Sequence, residues 1–321
     1  MEIEFENDFE TKYYCENVDE FYEFIQYSFY KDNDKGVNFI NDCIFRGVGC
    51  SNYTLTPTIL RNIPPDFIFA DQLLKEISYI HLFVKYCNDN GLYIPCNVDI
   101  SDVYFADIVD TKRWTSDDDP VWPNKKIMNL LSLMQHYGLS TRFLDWTQDI
   151  YVSMYFATKK AEYKYKENNN ESKRFSVWAF NAKQFQKINN SIDNNIPLTI
   201  YVPEYYSNPN TKAQKGVLTT WIINLKNLYR LGGYNKPYPK DDIDTEKFLL
   251  HYLKGVSPRN IVGKILFKFD FPYNEIEKSL QILKDQKYVT SRMFPGYDGV
   301  AKQVKEDLTS LYSDYSKKML L

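Results

Sequence analysis

The most constraining feature of this sequence is a pair of helical patterns separated by a short connection. Apolar side chains recur at helical spacing in two groups: Ile127, Leu130, Leu131 and Met134, then Ile150, Met154, Ala157 and Ala161. The first helix is predicted to end at Gly138, and the second to begin after Thr147, a suitable N-cap. Each helix has one apolar side, so we expect both to pack onto the core.

The connection between these helices mixes polar and apolar residues. The polar side chains within this connection or directly beside it are those of Gln135, His136, Thr141, Arg142 and Asp145. Phe143, Leu144 and Trp146 stand among them, which indicates a buried connection, and buried polar groups need hydrogen-bond partners. Two interpretations stay open for Arg142: an ion pair with Asp145 that fixes the connection, or a role in a binding site.

Strand patterns follow in the second half of the chain. Segments rich in β-branched and aromatic residues predict strands at 174–180, 198–203, 216–222 and 264–271. In the last of them, Lys264, Lys268 and Asp270 alternate with apolar residues, which predicts one solvent-exposed face.

The order of elements indicates the fold class. Helical patterns dominate the amino-terminal part, including one from Leu73 to Cys87, and return at 276–283 and 300–311. This order predicts an α+β fold with a mixed or antiparallel central sheet. We interpret residues 1–321 as one domain, with a motif-bearing core at 40–225 and a strand-helix extension at 244–321.

Composition excludes several classes of function. A formal net charge of −3 without basic runs does not favour an electrostatic nucleic-acid surface. The chain has no 18-residue apolar stretch and begins with acidic residues, so we expect a cytoplasmic protein without membrane partners. Five cysteines match no zinc spacing, and we expect reduced thiols and no metal site.

Five blocks of the sequence resemble those of the FRG domain family. They are "FRG" at 45–47, "TPTILR" at 56–61, "LLSLMQHYGLSTRFLDWTQDIYVSMYFA" at 130–157, "NPNTKAQKGVLT" at 208–219 and "RMFPGYDGVAKQV" at 292–304. The fourth block departs from the expected pattern, because Asn210 and Thr211 stand where a basic residue is expected after "NP". Lys212 is the nearest cation, and lysine lacks the bidentate fork of arginine.

The same blocks are more distantly similar to ADP-ribosyltransferases of the arginine-first type. That resemblance implies an ADP-ribosyltransferase-like fold, NAD as the substrate, and Arg46 and Gly47 as the first motif. The pattern would place a catalytic glutamate two residues after Gln214, where this chain has Gly216. The carboxylate would then come from Asp145, our first choice, or from Glu204, or transfer chemistry would be lost.

The resemblance also assigns a role to each remaining candidate. The proposed cofactor-binding residues are Arg46 and Arg142 for the phosphates, Thr141 and His136 for the nucleotide, Trp146 or Tyr137 for stacking, and Gly47 for close backbone approach. The proposed catalytic residues are Asp145, Gln214 toward a ribose hydroxyl, and His136 as an alternative general base. His136 would equally suit a helix carboxyl end without any catalytic role.

The resulting expectation is an NAD-dependent ADP-ribosyltransferase or NAD glycohydrolase. Its macromolecular acceptor, protein or nucleic acid, is not defined by the sequence, and the resemblance suggests a bacterial defence or toxin effector. The alternative is a non-catalytic module that uses the same polar cleft to sense a nucleotide or bind a protein. Serine-hydrolase chemistry is not favoured, since the nucleophile motif G-x-S-x-G is absent from the sequence.

Overall fold

The structure is a computed structural model with an α+β architecture. It describes residues 1–30, 38–64, 68–96, 99–101, 121–166, 173–192, 196–225, 244–254 and 264–319. The interval between the predicted core (40–225) and the predicted extension (244–321) lies outside the described residues.

Most strands belong to one mixed sheet. The strands are β1 (Glu2–Glu6), β2 (Glu10–Tyr14), β3 (Cys43–Val48), β4 (Val121–Trp122), β5 (Leu144–Thr147), β6 (Arg174–Asn181), β7 (Leu198–Tyr201), β8 (Gly216–Trp221), β9 (Ile223–Asn224) and β10 (Leu266–Pro272). Eight of them form the sheet in the order β1-β2-β10-β6-β3-β5-β8-β7, and β4 pairs with β9. The neighbours β2 and β10 are parallel, whereas the other neighbours in this sheet are antiparallel.

Helices cover this sheet. They are α1 (Val18–Tyr30), α2 (Phe39–Asp42), α3 (Phe69–Asp89), α4 (Met128–His136), α5 (Ile150–Lys166), α6 (Ala182–Ser191), α7 (Pro209–Ala213), α8 (Thr245–Lys254), α9 (Ile276–Asp285), α10 (Thr290–Met293) and α11 (Tyr297–Met319). Alternation along β3 supplies apolar side chains to two faces: Phe45 joins a core with residues of α1, α5 and α9, and Ile44 joins another with residues of α6 and α8. None of the described helices has the combination of length and apolar character needed to cross a bilayer.

The connection between α4 and α5 contains a strand that the sequence pattern did not predict. Residues Leu144–Thr147 form β5 between β3 and β8, so Thr147 ends a strand and is not the N-cap of α5. Its Oγ1 instead accepts from the backbone N of Asp149, and Oδ1 of Asp149 accepts from the backbone N of Tyr151 in the first turn of α5. The connection is buried as expected, because Phe143, Leu144 and Trp146 pack into the apolar cores.

Two further expectations about the sheet are corrected. The amino-terminal part of the chain was expected to be helical. Its first residues instead form the hairpin β1–β2, which joins the sheet through pairing of β2 with β10. The predicted exposed face of β10 is buried: Lys268 and Asp270 pair with each other at 3.1 Å, and Ser176 donates to Asp270 at 2.5 Å. A strand in the middle of a covered sheet buries both faces, and alternating charges remain there only when paired.

Candidate functional site

A cavity of about 460 Å³ lies where β3, β5 and β8 meet α4 and α5. Its lining includes Arg46, Gln135, His136, Asp145, Lys160 and Gln214. A volume of this size falls within the range of small-molecule sites in proteins. Segments that are far apart in the chain, "FRG", the α4–α5 connection and the start of β8, therefore contribute to one surface.

The sheet itself places Arg46 in this cavity. Among the described residues, β3 and β5 are registered at one position, Phe45 opposite Thr147, which brings Arg46 beside the strand that carries Asp145. Nη1 of Arg46 donates to that oxygen at 2.6 Å and lies 3.9 Å from Oδ2 of the same residue. Nε of Arg46 is buried and has no hydrogen-bond partner in the described part of the chain.

Burial also changes the electrostatics of this arginine. The side chain of Arg46 is 11% exposed, and loss of hydration lowers its pKa below the ordinary value. The carboxylate of Asp145 opposes this shift, and the positive charge of Arg61 adds to it. A guanidinium that is partly desolvated and incompletely hydrogen-bonded is suited to binding an anionic ligand.

Asp145 supplies a carboxylate with a defined orientation. Its side chain is 68% exposed, and Oδ1 accepts a hydrogen bond from Nε2 of Gln135. Oγ1 of Thr141 donates in turn to Oε1 of Gln135 and accepts from the backbone N of Phe143 at 3.1 Å. Thr141 therefore positions Gln135, which positions Asp145, and Thr141 itself is not part of the cavity lining.

Lys160 is a lining residue that the sequence interpretation missed. It stands on α5 and stays accessible from the cavity, yet the protein atoms around it lower its pKa by displacing water. The positive charges of Arg46 and Arg61 lower that pKa further, while Asp145 partly offsets them. The sequence around it gave no signal that separates Lys160 from the neighbouring Lys159, which does not line the cavity.

Gly47 and Gly49 serve packing between the sheet and α5. A Cβ atom on Gly47 would lie 1.9 Å from the backbone O of Ser153 and 2.6 Å from the backbone N of Ala157. A Cβ atom on Gly49 would lie 2.6 Å from Cβ of Lys160. The sequence interpretation assigned close approach to a ligand to Gly47; the structure shows close approach of α5, although Gly47 also lines the cavity.

Arg142 does not line the cavity. Its Nε and Nη2 each donate to a carboxylate oxygen of Glu76 at 2.6 Å, and both side chains are almost fully buried. Nε1 of Trp122 also donates to Glu76 at 2.8 Å. This arrangement is an internal ion pair, as one of the two open interpretations proposed, but the partner is Glu76 of α3 rather than Asp145.

The two aromatic candidates for stacking lie in different surroundings. Trp146 is 4% exposed, donates Nε1 to Oγ1 of Thr219 at 2.9 Å and packs against Phe180, so it forms part of the cavity wall without a free ring. Tyr137 is 72% exposed and stands outside the lining, with its ring edge-on to His136. His136 lines the cavity, and burial lowers its pKa, which favours neutral imidazole near neutral pH.

The fourth block of the sequence, residues 208–219, also contributes to the cavity lining. Gln214 lines it, but its Nε2 donates to the main-chain oxygen of Met293 at 3.1 Å. Gly216 also lines it, opposite Thr147 in the β5–β8 ladder, while the exposed Glu204 does not. Among the lining residues that the structure describes, Asp145 is the one that carries a carboxylate.

A comparison with protein-family models finds a match, which covers part of the chain. Residues 41–166, which contain β3, the α4–α5 connection and α5, match the model of the FRG domain. The chain contains an FRG domain. Neither the curated proteins nor the solved structures include a match to this chain. The FRG domain supplies Arg46, Asp145 and Lys160, whereas Gln214 and Gly216 come from residues beyond the matched segment.

Proposed function

We propose that this FRG-domain protein binds NAD in the cavity and cleaves the bond between nicotinamide and ribose. The observation that carries this proposal is the charge pattern of the site: Arg46 and Lys160 line the cavity together with one carboxylate, Asp145. Arg61 lies near enough for its charge to lower the pKa of both cations. In a chain with a net charge of −3, this local positive excess favours a polyanionic group such as a pyrophosphate.

Arg46 and Lys160 would bind the pyrophosphate in complementary ways. The planar guanidinium of Arg46, which lines the cavity, can donate two parallel hydrogen bonds to phosphate oxygens. The ammonium group of Lys160 acts as a point charge with three donors. A bound dianion would also favour the protonated lysine, whose pKa is lowered in the free protein.

Asp145 is suited to the step that breaks the glycosidic bond. As the bond from ribose C1′ to the pyridinium nitrogen breaks, its electron pair goes to nitrogen and nicotinamide leaves as a neutral molecule. Positive charge develops on the ribose, and a fixed carboxylate close to that sugar would stabilise it. Gln135 and Thr141 hold the carboxylate of Asp145 in one orientation, which limits the reorganisation needed during the reaction.

The ribosyl cation is then captured by a nucleophile that loses a proton. Water would give free ADP-ribose, whereas a side chain or a nucleotide of an acceptor would give a covalent product. His136 lines the same cavity and has a lowered pKa, so its neutral imidazole could accept that proton. An acceptor on a macromolecule would fit the proposed role as a defence or toxin effector.

The test is incubation of the full chain with adenylate-labelled NAD, with and without a cell lysate, compared across two matched variants. Asp145→Asn should reduce nicotinamide release by about a hundredfold, since it removes the charge that stabilises the transition state. Glu204→Gln makes the same chemical change at an exposed carboxylate outside the lining and should leave turnover unchanged. Equal activity of wild type and Asp145→Asn would reject the proposed mechanism.

A non-catalytic nucleotide-sensing or protein-interaction module is the second candidate. It is favoured by Gly216, because the position where a transferase would carry its glutamate has no side chain, and a Cβ there would lie 2.9 Å from Cγ2 of Thr211. The labelling experiment separates the two candidates. Label on protein or nucleic acid indicates transfer, free ADP-ribose indicates hydrolysis, and bound but intact NAD indicates the non-catalytic module.

A further inference from the structure

Two phenylalanines give the cavity wall an apolar aromatic corner. Phe156 on α5 and Phe294, directly after α10, both line the cavity, and their ring centroids are 6.3 Å apart with an interplanar angle of 86°. Both rings are partly buried, in contrast to the lining residues Phe45 and Trp146, which are 1% and 4% exposed. The pair therefore offers aromatic surface to a ligand where the other aromatic lining residues do not.

The position of Phe294 is set by contacts on both sides of it. Its backbone N donates to the O of Thr290 at 2.9 Å, and the preceding main-chain oxygen, that of Met293, accepts from Nε2 of Gln214. A Cβ atom on Gly299 would lie 1.8 Å from the oxygen of Phe294, so the chain folds back tightly at this point. Phe294 lies outside residues 41–166 and is brought to the FRG domain by the tertiary fold.

A second link holds the same segment against the cavity. The OH of Tyr288 donates to Oδ2 of Asp149 at 2.9 Å, and Nζ of Lys215 lies at the same distance from that oxygen. Asp149 stands just before α5, and Lys215 just before β8. The segment that carries Phe294 is thus attached to the two elements that form the cavity, which makes Phe294 a fixed part of the wall.

The spacing between aromatic and cationic groups matches the spacing within a nucleotide. Phe156 and Lys160 are four residues apart on α5, so they lie on one face about 6 Å apart along the helix axis. In a nucleotide, a ribose separates the heteroaromatic base from the phosphate by a similar distance. A ligand whose phosphate contacts Lys160 and Arg46 would therefore bring its base to the aromatic corner.

We propose that Phe156 and Phe294 form a stacking site for the heteroaromatic base of a nucleotide whose phosphates are bound by Arg46 and Lys160. This inference rests on the proposed function, since it assumes that the cations bind a nucleotide phosphate. Stacking on aromatic side chains tolerates different bases because each base has a π-face. The corner therefore accepts either adenine or nicotinamide, and the two are separated by the choice of ligand.

The experiment is calorimetric titration of the full chain with three ligands: ADP, nicotinamide mononucleotide and inorganic pyrophosphate. Phe294→Leu keeps an apolar side chain but removes the ring, and it should weaken binding by about tenfold for each nucleotide whose base stacks there, ADP, nicotinamide mononucleotide or both. Pyrophosphate has no base, so its affinity should stay within about twofold of wild type, as expected for a change confined to stacking. Phe248→Leu makes the same change at a partly buried phenylalanine of α8 outside the lining, and should change none of the three affinities.

Each outcome decides between the inference and the function on which it rests. A selective loss for ADP assigns adenine to the corner, a selective loss for nicotinamide mononucleotide assigns nicotinamide, and a loss for both shows that either base stacks there. Unchanged affinity of Phe294→Leu for both nucleotides, or an equal loss for pyrophosphate, overturns the stacking site while the cavity remains a phosphate site. If wild type binds none of the three ligands, the proposed function itself is overturned and the stacking site with it.

Discussion

Arg46 and Arg142 received the same role from the sequence, yet the fold places them in opposite situations. Arg142 makes two hydrogen bonds to Glu76 in a buried pair, which leaves no charge for a ligand. Arg46 faces a cavity, with its nearest carboxylate oxygen 3.9 Å away and its Nε without a described partner. An arginine whose hydrogen bonds are filled by a buried carboxylate is structural, whereas one with donors left over is available to a ligand. Residue type and neighbouring sequence do not distinguish the two cases.

The same substitution at both arginines should have opposite effects on stability and on ligand binding, and Arg142 gives the larger effect on stability. Arg142→Met should lower the free energy of unfolding by about 3–5 kcal/mol, because it leaves the buried carboxylate of Glu76 without its cation. Urea denaturation monitored by tryptophan fluorescence measures this change. Glu76→Gln added to Arg142→Met should recover much of the loss, since the amide is neutral and keeps an acceptor for Nε1 of Trp122.

Arg46→Met should act on ligand binding instead of on stability. Removing a charged donor from a phosphate should weaken binding of pyrophosphate and NAD by about 10- to 100-fold, equivalent to about 1.5–3 kcal/mol. The free energy of unfolding should change by less than about 1 kcal/mol, because relief from desolvation offsets the lost hydrogen bond to Asp145. A collapse in stability with unchanged binding would instead make Arg46 a structural residue like Arg142.

The smallest expected effect concerns Lys160 and pH. Lys160→Met should weaken pyrophosphate binding by about fivefold at pH 7, in line with the modest energy of an accessible ion pair. An ordinary lysine has a pKa of about 10.4. Because the pKa of Lys160 is lowered, this side chain loses its charge at a lower pH than an ordinary lysine, and the affinity for pyrophosphate should decline with that charge. Titration between neutral and alkaline pH should show this decline in wild type and not in Lys160→Met.

His136, which also titrates, and the neighbouring Lys159 provide the controls for that measurement. Burial lowers the pKa of His136, so its imidazole is neutral throughout the alkaline range and does not produce the decline. Lys159→Met alters the adjacent lysine, which pairs with Glu306 at 3.1 Å outside the lining, and should keep the wild-type pH profile. An affinity that stays flat to high pH would remove Lys160 from the proposed phosphate site.

Local patterns predicted part of the fold and of the candidate site. Helical periodicity located α3, α4 and α9, and β-branched and aromatic runs located β6, β7, β8 and β10, because these signals depend on near neighbours in the chain. The hairpin β1–β2 and the strand β5 were missed, since acidic alternation and a four-residue strand are weak local signals that tertiary pairing overrides.

The site shows the same limit more clearly. Gln135, Asp145 and Gln214 were named from their motifs, and the fold places all three in the lining. Lys160 was missed because a lysine on a helix usually lies on a solvated face. Phe294 belongs to the block at 292–304 that was singled out from the sequence, but it was given no role, because nothing in that block indicates that it lies against the cavity.

By itself, the sequence determined the α+β class, the FRG domain and which polar residues stand close together along the chain. Only the tertiary structure decided that Arg46 opens to a cavity while Arg142 is neutralised by Glu76, which is 66 residues away in the chain. The physical reason is that a buried charge is governed by desolvation and by its partner, and both depend on groups brought together by folding. A sequence pattern shows which residues are neighbours along the chain, whereas ligand binding depends on which residues are neighbours in the folded protein.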